Sequence, residues 1–360
     1  MSSNALGITV VTPTRGRSEL VAKLLRSLRD CAEAAEFDVE VIVVDDSPPA
    51  ESTAIKALCV DFGADYVSGP RAVGRKRNLG ARRARHDLVL FIDSDCVATD
   101  SLLRAHWEAH LKAGDNVAAV AGPTRFYGGT TFSARLTERS MVYEAFDAPR
   151  THAQVLWGTT SNLSVRRDVF LAQGGFSERP LTVVGGEDVD LGIRLYEAGY
   201  VTSTAPDGLA LHARSSGLAV RRSLAKLFTY GRADNWLCQE HGQYVIFHPN
   251  PVVLGALGGA VGALVPTRRR GVATAALAAL PVVLCAIREL ARRRNLKGRA
   301  DLLDVGAVVL DWSYDLGVAV GAIRAGAPTL TLTRFDYHPQ DKFVPHSDDD
   351  GATLGHLGQP

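Results

Sequence analysis

Apolar runs and polar breaks alternate along the first hundred residues with the spacing of a βα repeat. Ile8 to Val11 reads as a buried strand, Leu20 to Leu28 carries apolar positions at helical spacing, and Val39 to Val44 is a second strand closing on Asp45-Asp46. Ala54 to Phe62 reads as a helix, Ala64 to Val67 as a short strand, Arg75 to Arg85 as a basic helix, and Leu88 to Ile92 as another buried strand. This βαβαβ order predicts an α/β fold built on a doubly wound, mostly parallel, Rossmann-like sheet with right-handed crossovers. Three strand ends then bring polar groups to one edge: Thr12-Pro13-Thr14, Asp45-Asp46 and Asp93-Ser94-Asp95. Open α/β sheets bind ligands at that carboxyl edge.

From Ala118 to Arg214 the alternation loosens, and glycine and aromatic residues gather in Tyr127-Gly128-Gly129, Trp157-Gly158, Gly174-Gly175-Phe176 and Gly185-Gly186. A clean helical stretch follows from Val189 to Ala198 and stops at Gly199. Past Tyr230 the pattern changes again. Pro251 to Pro266 and Val272 to Ile287 are nearly uncharged Ala/Val/Leu/Gly runs joined through Arg268-Arg269-Arg270, and Leu302 to Ile323 is a third apolar stretch interrupted by Asp304, Asp311 and Asp315. We therefore divide the chain into a catalytic domain at 1–230, an apolar or amphipathic helical region at 231–333, and a polar, partly disordered tail at 334–360. The first two apolar runs are short against the ~20 residues needed to span a bilayer, so interfacial or re-entrant helices are expected, with the basic loop and Arg292-Arg293-Arg294 facing anionic lipid. A soluble helical subdomain or a homo-oligomer interface is the alternative.

Composition narrows the partners. Among 360 residues, forty Lys and Arg stand against thirty-nine Asp and Glu, a net charge of +1, so no global field attracts nucleic acid. The five cysteines are scattered, odd in number and without C-x-x-C spacing, which fits a reducing compartment better than a disulfide framework. No secretory signal pattern precedes the first strand, and the expected location is cytoplasmic, peripheral to or anchored at the inner face of the cell membrane.

Asp93-Ser94-Asp95 offers hard oxygen ligands at a strand end, suited to Mg²⁺ or Mn²⁺ holding a diphosphate. Arg75 and Arg77 open a helix, where guanidinium groups and N-terminal amides both favour phosphate. Glu187-Asp188 follows two glycines at another helix start, a place for a carboxylate that removes a proton or simply caps the helix.

In this order, Thr12-Pro13-Thr14-Arg15-Gly16-Arg17, Val43-Val44-Asp45-Asp46-Ser47, Gly74-Arg75-Lys76-Arg77-Asn78-Leu79-Gly80, Asp93-Ser94-Asp95, Gly174-Gly175-Phe176 and Gly186-Glu187-Asp188-Val189-Asp190-Leu191 resemble a family 2 glycosyltransferase of the GT-A fold. The similarity covers roughly the first 215 residues. It implies a metal-dependent, inverting transferase that moves a sugar from a nucleotide-sugar donor, with UDP as the expected nucleotide, to a hydroxyl acceptor on a glycan, a lipid or a small molecule. By resemblance Asp188 is the base and Glu187 orients the acceptor or the loop; Asp46 accepts from the nucleobase imide; Thr12, Pro13 and Arg17 wall base and ribose; and Arg75 and Arg77 lie at the diphosphate. Asp95 is the metal ligand, Asp93 reaches the ribose or the metal, His212 is a further candidate ligand, and Trp157 belongs to the pocket floor. Asp190 is expected on the helix face. Two other classes stay open: a nucleotidyltransferase, which needs a glycine-rich, lysine-bearing phosphate loop that Thr12 to Arg17 resembles poorly, and a non-catalytic sugar- or nucleotide-binding scaffold.

Overall fold

Unbroken burial marks the centre of the molecule. In the strand Ile8–Thr14 (β1) all seven residues are buried, and in Leu88–Phe91 (β4) all four are, as expected of parallel strands covered on both faces. The computed structural model describes residues 7–128, 131–178, 185–214, 220–266, 269–297 and 299–346. Around β1 and β4 lie β2 (Val39–Asp45) and β3 (Asp65–Ser68), joined by helices α1 (Ser18–Glu33), α2 (Pro49–Phe62) and α3 (Val73–Arg83). Helix α1 turns Val21, Leu24, Leu25, Leu28 and Cys31 inward, the stripe a 3.6-residue period predicts.

The chain continues through β5 (Cys96–Ala98), α4 (Leu102–Lys112), β6 (Val117–Ala121), β7 (Thr124–Tyr127), α5 (Phe132–Glu138), α6 (Ala148–Thr151), β8 (His152–Val155), β9 (Leu163–Arg166), α7 (Arg167–Ala172), α8 (Glu187–Glu197), β10 (Val201–Thr204) and β11 (Ala210–Ala213). Helix α9 (Val220–Glu240), β12 (Val245–Phe247), α10 (Pro251–Leu264), α11 (Arg270–Lys297), α12 (Leu302–Arg324), β13 (Thr333–Phe335) and β14 (Val344–Pro345) complete it. The main sheet has the order β14-β8-β10-β6-β9-β4-β1-β2-β3. Its core, β3-β2-β1-β4, is parallel as expected; β9 then runs antiparallel to both β4 and β6, giving the mixed sheet of a GT-A fold. A second sheet, β5-β11-β7, sits beside the carboxyl edge.

The helical region departs from expectation in two ways. Helix α11 does not stop near Ile287 but runs to Lys297, and it packs as a hairpin with α10. Arg293 does not face outward: it is buried, paired with Asp311 at 2.7 Å and Glu289 at 2.9 Å, because successive helical residues point about 100° apart and three arginines in a row cannot share one face. Helix α12 is a packed helix whose three acids are buried and paired: Asp304 with Arg139, Asp311 with Arg293, and Asp315 with Arg334. The segment from Arg334 to His346 is folded back, with β13 pairing with β12 and β14 with β8. The residues from 347 on, where the sequence predicts disorder, lie outside the described residues.

Candidate active site

The metal-type cluster is assembled by sheet register. Strand β11 pairs antiparallel with β5 so that His212 lies opposite Cys96, which brings the imidazole beside Asp95 at the end of the turn after β4. Ligand atoms of Asp95, Cys96 and His212 all lie within 4.8 Å of one another, with His212 Nε2 at 3.4 Å from Asp95 Oδ1. His212 Nδ1 sits 3.1 Å from the Ala213 carbonyl, which can only accept, so Nδ1 carries a proton. The neutral ring therefore presents a lone pair to a carboxylate oxygen, a contact made favourable by a cation between them or by a second ring proton. Burial, with Asp93 and Asp95 nearby, pushes the Cys96 thiol well above its ordinary range and keeps it neutral. The carboxylate oxygens and imidazole nitrogen of this cluster fit Mn²⁺ or Mg²⁺.

Arginines frame this cluster. Arg17 has a left-handed backbone, φ 61°, a conformation that non-glycine residues seldom adopt, and from it the guanidinium reaches Asp95 at 2.6 Å and Ser94 Oγ at 3.4 Å. Arg77, almost wholly buried, donates to Asp93 at 2.8 Å and to Glu187 at 3.2 Å, while its Nε has no hydrogen-bond partner among the described residues. It thus ties the metal end of the site to the start of α8. Burial alone would raise the Asp93 carboxyl, but Arg77, His212 and Arg17 overcome it and hold the group below the usual range.

Gly185 and Gly186, at φ 131° and 88°, turn the chain into α8, and Trp236 donates to the Gly185 carbonyl at 3.0 Å. Asp190 anchors the helix from inside rather than lying on its face: it is buried, accepts from Arg194 at 2.8 Å, and lies 3.0 Å from His241 Nε2. Asp188 is left at the cavity. Burial first, and the neighbouring Glu187 second, raise its carboxyl to about 7 against the pull of Arg77. A carboxylate that titrates near neutrality is suited to accept a proton.

Asp93, Asp95, Glu187, Asp188, His212 and Trp157 line one cavity of about 1470 Å³, together with Pro13 and Arg17. Thr12, Asp46 and Arg75 do not reach its wall. Thr12 is fully buried inside β1 with its hydroxyl unpartnered among the described residues, and Arg75 points to Glu178, because residues two apart on α3 face opposite ways and Arg77 takes the cavity side. Of the acidic pair at the end of β2, Asp45 is consumed by the turn, accepting from Ser47 N at 2.9 Å and Tyr66 OH at 3.0 Å, while Asp46 is clamped by Lys76 and lies 3.6 Å from Arg15. Lys76 is a cavity residue that sequence reasoning missed. It is buried, bonds Asp46 and the Thr14 carbonyl, and lines the cavity. Its signal was a lone lysine between two arginines at a helix start, one position out of phase with both.

A model described as Glycosyl transferase family 2 matches residues 9–172. The Pre-mycofactocin glycosyltransferase of Mycobacterium tuberculosis (strain ATCC 25618 / H37Rv) is 29% identical over 337 residues, 90% of this chain and 66% of the relative. The Chondroitin synthase of Escherichia coli is 25% identical over 252 residues, 59% of this chain and 35% of the relative. The Validoxylamine A glucosyltransferase of Streptomyces hygroscopicus subsp. jinggangensis (strain 5008) is 29% identical over 239 residues, 57% of this chain and 55% of the relative. The chain thus spans about a third to two thirds of the length of these curated relatives. Among solved structures, Mannosyltransferase PcManGT from Pyrobaculum calidifontis, in complex with GDP-Man and Mn2+, aligns over 90% of this chain and 83% of its own at 16% identity and a TM-score of 0.48. The parallel core, the β4 strand end and its arginine frame all lie within the matched residues, so it is residues 9–172 that are similar to glycosyl transferase family 2.

Proposed function

We propose that this chain is a glycosyltransferase that moves a sugar from a nucleoside diphosphate donor, with UDP the first candidate, to a hydroxyl acceptor in one inverting displacement. The observation that carries this reading is the placement, within one cavity, of the Asp95–His212 cluster and of Asp188, a carboxylate raised to about 7, with Arg77 bridging the two ends. Asp95 and His212, with Asp93 beside them, are the residues that would hold Mn²⁺ or Mg²⁺. When bound, such a cation offsets the charge that develops on the leaving diphosphate. Arg17 and Lys76 add fixed positive charge on the donor side. Asp188 accepts the hydroxyl proton as the acceptor oxygen bonds to the anomeric carbon, and the bond from that carbon to the diphosphate oxygen breaks, its electron pair leaving with the diphosphate. Glu187, held by Arg77, fixes the turn that aims Asp188.

In this reading the catalytic unit spans residues 1–230, and 231–333 meets a membrane surface through α10 and α11. Among the described residues two helices, Arg270–Asn295 and Leu302–Arg324, are long and apolar enough to cross a bilayer; the second is mostly buried in the protein, and the first is not.

A melting screen of nucleoside diphosphates with and without Mn²⁺ tests the donor site. Stabilisation by one nucleotide that requires the metal is expected. Asp95→Ala should lose the metal-dependent part, while Asp188→Asn should keep the whole shift and lose transfer. No stabilisation by any nucleotide would leave the scaffold reading in its place.

A further inference from the structure

The family match ends at residue 172, yet the cavity is completed by residues more than 150 positions later. Strand β13 ends at Phe335 and is fixed to β12, and β14 begins at Val344 and is fixed to β8, so residues 336–343 cross the cavity as a strap held at both ends. A buried carboxylate holds its first part. Asp234 on α9, fully buried, accepts from Tyr314 OH at 2.9 Å, Tyr337 OH at 2.9 Å and Phe335 N at 3.3 Å. Trp157 joins strap and base: its Nε1 donates to the Tyr337 carbonyl at 2.8 Å, and it packs so closely under Gly192 of α8 that a Cβ added there would lie 2.5 Å from the Trp157 Cβ. Gly192 is one helical turn beyond Asp188. The strap therefore stands on the side of the cavity where the acceptor hydroxyl must meet the base.

Two polar side chains of this strap have capacity to spare. His338 packs its ring against Trp157 at 6.2 Å and Phe343 at 4.9 Å, and among the described residues neither ring nitrogen has a hydrogen-bond partner. Asp336 accepts from His338 N at 3.1 Å through one oxygen; the other has no hydrogen-bond partner among the described residues. Both line the cavity. An indole and an imidazole beside a half-used carboxylate suit a molecule with apolar C–H faces and a rim of hydroxyls: the rings cover a face, and the carboxylate and ring nitrogens bind the rim.

We propose that Asp336 and His338, with Trp157, form the wall that recognises the acceptor, and that the acceptor presents a hydroxylated ring, a sugar or a cyclitol. The proposal rests on the transferase reading above. Its test uses the full chain with the nucleotide sugar whose diphosphate stabilises it, Mn²⁺, and three sets of probes: glucose, N-acetylglucosamine and myo-inositol as rings; glycerol and serine as open-chain alcohols; dodecanol in detergent as an apolar alcohol. Nucleotide release is followed for each. A ring probe should accelerate release over water alone, and Asp336→Asn and His338→Gln should each raise its KM about tenfold while the melting shift with nucleotide and Mn²⁺ stays as in the unsubstituted protein. Their unliganded melting temperatures report whether they fold; should one fail to, the other decides. Acceleration only by glycerol, serine or dodecanol, acceleration by none, or an unchanged KM in both variants overturns the proposal. Absence of any nucleotide-dependent melting shift in the unsubstituted protein overturns the transferase reading first and the wall with it, so the two failures are told apart.

Discussion

A single carboxyl decides how the reaction should depend on pH. Burial and Glu187 raise Asp188 to about 7, so it is largely protonated, and useless as a base, at pH 5.5. We expect kcat/KM to rise roughly tenfold per pH unit below 7 and to level above it, a limb measured by initial rates in a constant-ionic-strength buffer series. A flat profile from pH 5.5 to 8 would remove Asp188 as the base. Asp93, held below the usual range by Arg77 after its burial is overcome, stays charged throughout and contributes no limb. At this scale the sequence was most informative where chemistry needs a particular residue at a strand or helix end: Asp93, Asp95, Asp188 and His212 all reach one cavity. It was least informative about direction. Arg75 and Arg77 looked equivalent as letters, yet a two-residue separation on a helix sends them to opposite sides, and the cavity-side arginine bridges two carboxylates. Asp190, read as a helix-face residue, is buried with His241, fifty-one residues away, as a partner. Nothing near Asp190 in the chain announces that.

Among the elements, the α10–α11 hairpin is joined by close glycine contacts. Pro281 lies inside α11 and has no N–H, which leaves the carbonyl of Leu277, four residues earlier, without its helical donor. Gly258 of α10 approaches that carbonyl so closely that an added Cβ would sit 2.0 Å from its oxygen. The glycine backbone thus packs directly against the carbonyl that Pro281 leaves without its helical donor. Gly262 repeats the close approach against Thr274, where an added Cβ would lie 2.5 Å from its Cα. Gly258→Val should therefore force the helices apart and destabilise the protein by about 1–3 kcal/mol, read in urea unfolding. Leu257→Val, next door and exposed, should change stability by less than about 0.5 kcal/mol. Equal effects would mean that the glycine contact is not what joins the helices. The two apolar runs were legible from composition alone. Their pairing was not, since it depends on which glycine meets which carbonyl.

Over the whole molecule, the parallel core and its ligand-binding edge were legible because strand burial and crossover handedness follow local rules. The return of the chain after α12 was not, because β13 and β14 are short and become strands only by pairing with β12 and β8. That return places the active-site cavity and the helical hairpin in contact: Cys285 and Arg288 of α11, with Ile246 and Phe247 just before α10, line the same cavity as Asp188. The hairpin's outer surface carries Leu257, Val261, Leu264, Val272, Leu280, Val283, Leu284 and Ile287, all exposed, and no residue of the apolar stretch of α11 is buried. The uncharged part of α11, from Gly271 to Ile287, is about 26 Å long at 1.5 Å per residue, near the ~30 Å of a hydrocarbon core, and arginines stand at both of its ends. So much apolar surface is costly in water and is relieved by lipid. We expect the full chain to float with phosphatidylcholine–phosphatidylglycerol vesicles in a density gradient and to stay bound in 1 M salt, because insertion of the hairpin rather than charge attraction holds it. Leu280→Glu together with Val283→Glu, placed on the exposed face, should release it while leaving the nucleotide melting shift intact. Recovery of the unsubstituted chain at the bottom of the gradient would show that its apolar face is covered by something other than a bilayer, and salt-sensitive flotation would assign the attachment to the arginines instead of the hairpin.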